Sequence, residues 1–215
     1  MLDILYQDDH LIVLDKPSGL LAVPGRGPEL QDCLSARAQA AAPSALVVHR
    51  LDRDTSGLMV MALTPHAQRE LSRQFAERTV EKRYLAVVWG GMQAAEGFVD
   101  LPMRKDFERP PRHKIDLVDG RSALTAWRLV ERLPAEPSGQ PHGEQSRLEV
   151  RPLTGRSHQI RVHLATLGHP ILGDCLYAHP AALALAPRLM LHAERLALAH
   201  PADGRPMIWT SACPF

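Results

Sequence analysis

The sequence predicts an α+β fold, a mixed, largely antiparallel sheet flanked by helices and loops. Three observations predict it. Apolar runs of strand length recur along the 215 residues. Helix-period stripes are confined to a few segments between them, and strands and helices do not alternate regularly. Apolar residues make up 45% and charged residues 23% of the chain, enough apolar material for a core without disulfides or structural metals.

The elements follow in order. Ile4-Leu5-Tyr6 and Leu11-Ile12-Val13-Leu14 flank the turn-like Gln7-Asp8-Asp9-His10 and read as a hairpin. Lys16-Pro17-Ser18-Gly19 breaks the second strand, and residues 24–28 form a Pro/Gly loop. Residues 30–40 carry Leu30, Cys33, Leu34 and Ala38 at helical spacing. Residues 45–48 and 57–63 are apolar runs of strand length. Thr64 and Pro65 supply an N-cap and a first-turn proline for a helix with Ala67, Leu71 and Phe75 on one stripe and Arg69, Arg73 and Arg78 on the other face. Residues 84–89 predict a buried strand. Residues 104–114, with five Lys/Arg and two prolines, predict an exposed basic loop. Residues 134–146 are a polar loop, and 148–153 a further strand. Ile160, Leu164 and Leu167 mark a helix that Gly168 stops as a C′ glycine.

Composition excludes several classes. Cys33, Cys175 and Cys213 lie far apart, form no CxxC pair and cannot all be bridged, which points to a reducing, cytoplasmic setting. The acidic N-terminus is no secretory signal, and no apolar run approaches the ~18 residues of a membrane helix. A formal net charge of +1 argues against holding nucleic acid by bulk charge, though not against a local basic face. The near-neutral charge and the lack of an apolar surface stripe predict a monomer. No phosphate-binding or dinucleotide glycine motif, HExxH or GxSxG occurs, so no cofactor and no metal site is expected.

Three places carry candidate chemistry. Residues 49–56, between two apolar runs, hold His49, Arg50, Asp52, Arg53 and Asp54. A solvated turn with self-paired charges is the plain alternative; the functional reading is a carboxylate kept ionised by guanidinium groups, competent as nucleophile or base. In residues 154–163, Arg161 lies off the apolar stripe, where an arginine is ordinarily solvated; with Arg156 and His158 it could bind an anion near a helix N-terminus. Tyr84 sits in a strand where tyrosine is more often core than catalytic, although its ring could stack under a base.

The string HRLDRDTSG at 49–57 resembles the signature of the RluA family of pseudouridine synthases. EKRYLAVVWG at 81–90, LTGRSHQIRVHLATLGHPILGDCLY at 153–177 and LHAERLALAHP at 191–201 are similar to further family segments, in the same order. The resemblance implies the pseudouridine synthase catalytic fold over 1–215 as a single domain, without the small RNA-binding domain that precedes it in many members. It implies Asp52 as the catalytic carboxylate at the ribose, by addition to C1′ or by removal of a C2′ proton. Arg161 would pair with Asp52, Tyr84 would lie against the uracil, and Arg50 would fill the space left by a flipped base. Leu164 would line the pocket. His49, Arg156, Lys105 and Arg112 are candidate substrate contacts, with Arg69 and Arg73 as further phosphate candidates. The short architecture is similar to the dual-specificity members, which implies RNA partners: uridine 32 of the tRNA anticodon stem-loop and uridine 746 of 23S ribosomal RNA. The alternatives are another RNA target within the family, a non-catalytic RNA-binding protein, or a hydrolase pairing Asp52 with His49.

Overall fold

The structure, a computed structural model, describes residues 2–133 and 143–215. Its elements run β1 (Asp3–Gln7), β2 (Leu11–Lys16), α1 (Leu34–Ala41), β3 (Leu46–Val47), β4 (Ser56–Ala62), α2 (Pro65–Glu77), β5 (Glu81–Trp89), β6 (Glu96–Asp100), β7 (Met103–Lys105), β8 (His113–Ile115), β9 (Leu124–Leu133), β10 (Gln145–Pro152), α3 (Gln159–Thr166), α4 (Pro180–Ala184), β11 (Leu191–Ala199) and β12 (Pro206–Thr210). The chain forms two units, one running up to Lys82 with His192–Pro214 added, the other comprising Arg83–Leu191 with Phe215.

In the first unit β2 pairs antiparallel with β1 and β4, and β12 pairs antiparallel with β11. β4 and β11 run parallel, His192 opposite Ser56 and Ala193 opposite Gly57. β2 and β4 are covered on both faces, which is why they read as unbroken apolar runs. Successive side chains of a strand point to opposite faces. Leu11, Val13, Leu58 and Val60 therefore meet Ala67 and Leu71 of α2, while Ile12, Leu14, Met59 and Met61 meet Leu34 and Ala38 of α1.

Helix α2 starts as expected: the Thr64 hydroxyl accepts the Ala67 N–H at 3.1 Å and Pro65 occupies the first turn. The helix predicted over 30–40 is shorter. It begins at Leu34, because Cys33 is extended (φ −153°) and caps it, and residues 28–30 form a separate 3-10 turn. The strand predicted over 45–48 reduces to Leu46–Val47.

In the second unit β5, β10, β9 and β6 make an antiparallel sheet in that order. Helix α3 packs Ile160 and Leu164 on Ala86, Val88, Leu148 and Val150. Gly168 (φ +84°) ends it in the expected left-handed conformation. The basic segment 104–114 is not wholly loop: its ends belong to β7 and β8, paired Lys105 to His113, and only residues 106–112 form the turn between them. Most of the loop predicted over 134–146 lies outside the described residues; Gln145 and Ser146 already belong to β10. Among the described residues no helix is long and apolar enough to cross a membrane.

Candidate active site

The charged stretch 49–54 joins β3 to β4 in the first unit, and it is clamped. Lys16, the last residue of β2, is fully buried. Its ammonium donates to the carbonyls of Pro17 (2.8 Å), Leu20 (2.7 Å) and Arg53 (2.7 Å). A buried cation is tolerable only when its donors are satisfied, and these carbonyls supply that. The Gly19 N–H donates to the Arg53 carbonyl and the Arg53 Nε to the Gly19 carbonyl, each at 3.0 Å. The Ser18 hydroxyl donates to the Asp54 carbonyl at 2.7 Å. Segment 16–20 thus fixes the backbone that follows Asp52. Asp52 is half-buried and Arg50 is exposed.

Gly57, at the end of the HRLDRDTSG string, has φ +107°, and a Cβ there would stand 2.3 Å from the Ala193 carbonyl oxygen. Only glycine lets β11 approach β4 at this point. Next to it the Ser56 hydroxyl and His192 Nδ1 are 2.9 Å apart.

His49 is turned into the fold. Its Nε2 accepts the Val60 N–H at 3.0 Å, and its ring stacks on Phe75 at 4.4 Å. Burial, with Lys82 adding to it, lowers its imidazole to about 3. This placement does not support the expected substrate contact, nor a hydrolase in which His49 is the base: the ring nitrogen that would act already holds a strand N–H.

In the second unit Tyr84 lies on β5 opposite Val150 of β10 and packs, partly buried, against the cluster that contains Leu164. Leu164 itself is fully buried among these residues. It is a core residue here, not a pocket wall, because it faces the sheet along the apolar stripe of α3. Arg161 departs from the expectation of a solvated helix face. Its side chain is 2% exposed, and its Nε and Nη2 donate to Asp174 Oδ2 and Oδ1 at 2.8 and 2.7 Å. Asp174 Oδ1 also accepts the N–H groups of Leu176 (2.9 Å) and Tyr177 (3.2 Å).

The turn before α3 is used internally. Gln159 Oε1 accepts the Thr154 hydroxyl and the Arg156 N–H, at 2.7 and 3.0 Å. The Arg156 Nε donates to the Ser122 carbonyl at 3.1 Å. His158, in a left-handed conformation (φ 57°), places Nδ1 2.7 Å from the Tyr177 hydroxyl, which also accepts the His113 N–H at 2.8 Å. The β7–β8 hairpin is tied in this way to the segment that bears Arg161. Of the cations in 104–114, Arg104 pairs with Asp116 and Arg109 with Asp106. Among the described residues Lys105 and Arg112 form no ion pair. On α2, Arg73 pairs with Glu70 and Glu77, whereas Arg69 is exposed.

Sequence reasoning did not single out Lys16, Asp174 or Tyr177. The available signals were a lysine closing an apolar strand run and an acid following Ile171-Leu172-Gly173. The chain thus brings His49, Arg50 and Asp52 onto one clamped loop, and Arg161, Arg112 and His158 around Tyr177.

Both the fold and these segments define one class. A family model described as RNA pseudouridylate synthase matches residues 10–166, and the chain belongs to that family, enzymes that isomerise uridine to pseudouridine in RNA. The dual-specificity RNA pseudouridine synthase RluA of Escherichia coli (strain K12) is 50% identical over 212 residues, covering 99% of this chain and 93% of that protein. The protein of the same name from Yersinia pestis is 49% identical, covering 99% of each. Among solved structures, human RNA Pseudouridylate Synthase Domain Containing 1 superposes with a TM-score of 0.81 at 30% identity, over 100% of this chain and 84% of that one.

Proposed function

We propose that this enzyme has two RNA targets, the tRNA anticodon stem-loop and 23S ribosomal RNA, and that Asp52 is its catalytic carboxylate. The observation that carries the assignment is the clamp on the Asp52 loop. A solvated turn needs no buried ammonium and no backbone ties to a neighbouring segment, whereas a reacting carboxylate gains from being held in place before substrate arrives. The half-identity of the chain to relatives named dual-specificity RNA pseudouridine synthase supports two RNA targets; the particular pair is what the resemblance of the motifs implies.

The reaction breaks the N1–C1′ bond of a uridine, turns the base and forms a C5–C1′ bond. The proton of C5 leaves and N1 gains one, so the step is redox-neutral and needs no group donor. Asp52 either adds to C1′ or removes the C2′ proton, and both routes require the ionised carboxylate. Arg161 is the cation of the reaction, favouring ionised carboxylate. Tyr84 lies against the uracil, its hydroxyl available for proton transfer. Arg50 fills the space left by the flipped uridine. Lys105, Arg112 and Arg156 contact phosphates. We assign His49 and Leu164 to the fold. We infer further that the chain acts as one catalytic domain, a monomer, in the cytoplasm; the family match from residue 10 to 166 runs through both units and supports the first point.

The test is tritium release from RNA carrying 5-tritiated uridine, run on an anticodon stem-loop and a 23S fragment. Release from both, lost in Asp52→Ala while RNA binding stays within a few fold, is the expected result. Release from one RNA only would overturn the dual specificity, and turnover by Asp52→Ala would overturn the assignment of the carboxylate.

A further inference from the structure

We propose that Phe107 is a stacking platform for one unpaired base of the RNA substrate, set between Lys105 and Arg112 as phosphate contacts; the inference rests on the RNA-modifying function above.

Phe107 is 74% exposed in the turn of the β7–β8 hairpin, two residues after β7 ends. A lone exposed apolar residue is ordinary. This one differs in how it is held. Its neighbour Asp106 is 1% exposed and occupies the inward position. The Asp106 carboxylate accepts the Glu108 N–H at 3.2 Å and the Arg109 Nε at 3.0 Å. The Asp106 N–H donates to the Arg112 carbonyl, and the Arg112 N–H to the Arg109 carbonyl, each at 2.9 Å. These bonds close the loop on itself, and with Asp106 turned in, Phe107 is turned out.

The hairpin carries both signs: Glu108 beside the ring is exposed and Arg109 is paired with Asp106, while Lys105 and Arg112 form no ion pair among the described residues and are the cations left for phosphates. Lys105 Nζ stands over one face of the Phe107 ring, 5.9 Å from its centroid, which leaves the other face for a base. Arg112 lies over the Tyr177 ring at 6.0 Å, and Arg161 over the same ring at 5.2 Å. The hairpin is anchored at that point by the His113 N–H on the Tyr177 hydroxyl. Tyr177 therefore links the hairpin that carries Phe107 to Arg161. An exposed π-face flanked by cations suits a splayed base and its phosphates, and single-stranded RNA is bound by that combination. A uridine drawn out of a loop leaves neighbouring bases without their stack, and Phe107 replaces it for one of them.

The experiment measures the affinity of the full chain for an anticodon stem-loop RNA, at several salt concentrations, for the wild type, Phe107→Ala, Phe107→Trp and the pair Lys105→Glu with Arg112→Glu. Each is also tested on RNAs with one unpaired base removed at a time. Phe107→Ala should weaken binding by about 5- to 100-fold, with the salt slope unchanged because no phosphate contact is lost. Phe107→Trp should restore it. The charge-reversed pair should flatten the slope. One base removal should cost the wild type affinity and cost Phe107→Ala nothing further. Unchanged affinity in Phe107→Ala, with tritium release intact in the wild type, would overturn the platform and leave the proposed function standing. A salt slope that falls with Phe107→Ala would likewise overturn it, since the ring would then only position cations. A wild-type dimer broken by Phe107→Ala would assign the ring to a protein contact instead. No wild-type release from either RNA would overturn the proposed function and this inference together.

Discussion

Arg161 and Asp174 form a two-point ion pair with side chains only 2% and 1% exposed. Breaking such a buried pair by removing one member costs about 3–5 kcal/mol. Asp174→Ala should therefore lower the stability of the protein by about that amount, and Asp174→Asn by less, because the amide oxygen still accepts one guanidinium hydrogen bond. Urea unfolding at pH 7 checks this. A loss under about 1 kcal/mol in Asp174→Ala would mean that water or another group replaces the carboxylate.

Lys16→Met keeps the stem of the side chain and deletes the ammonium. The carbonyls of Pro17, Leu20 and Arg53 then lose a buried donor. We expect a loss of about 2–4 kcal/mol. Proteolysis in the native state should show earlier cutting within 49–56 than in the wild type. An uncut loop together with wild-type stability would show that the remaining ties, Gly19 to Arg53 and Ser18 to Asp54, suffice.

Gly57→Ala and Gly168→Ala separate steric clash from backbone strain. Both positions have positive φ, but only at Gly57 does a Cβ meet backbone, that of Ala193, while nothing lies within 4 Å at Gly168. Gly168→Ala should cost roughly 1–2 kcal/mol. Gly57→Ala should cost clearly more, since the parallel pair β4–β11 must separate, and its melting temperature should fall further by several degrees. Equal shifts in the two variants would contradict the close approach.

Stability should fall as pH drops below about 6.5. The folded state keeps His49 neutral to about pH 3, and burial also lowers His163. The unfolded chain binds protons first, so each such histidine removes up to about 1.4 kcal/mol per pH unit below its unfolded value. His49→Gln should make the fall between pH 6.5 and 4.5 shallower, above the range in which carboxylates add their own loss. Identical pH slopes in the two proteins would show that His49 titrates normally in the fold.

Much of the local architecture was legible from residue order. Thr64 and Pro65 start α2, Gly168 stops α3, and the unbroken apolar runs of β2 and β4 mark strands buried on both faces. The charged loop was legible too, because five charged or titratable residues between two apolar runs are costly unless used or solvated. Periodicity failed at Arg161. It placed the residue off the apolar stripe, yet burial there depends on Asp174, thirteen positions away, and no helical period reports that. The company of His49 in the loop suggests a site residue, but its ring turns onto Phe75 and accepts the Val60 N–H.

By itself the sequence determined the α+β class, the caps and turns, the places where charge interrupts an apolar run, and, through ordered motifs, the family. Those features depend on each residue and its near neighbours along the chain. Tertiary structure alone decided which charges are satisfied and by what: Lys16 by three carbonyls, Arg161 by Asp174, and the hairpin by Tyr177. It also decided that Phe107 points outward because Asp106 points in. These outcomes depend on groups distant in sequence meeting in a low-dielectric interior, where a polar atom must find a partner, and the identity of that partner is set only when the strands and helices have packed.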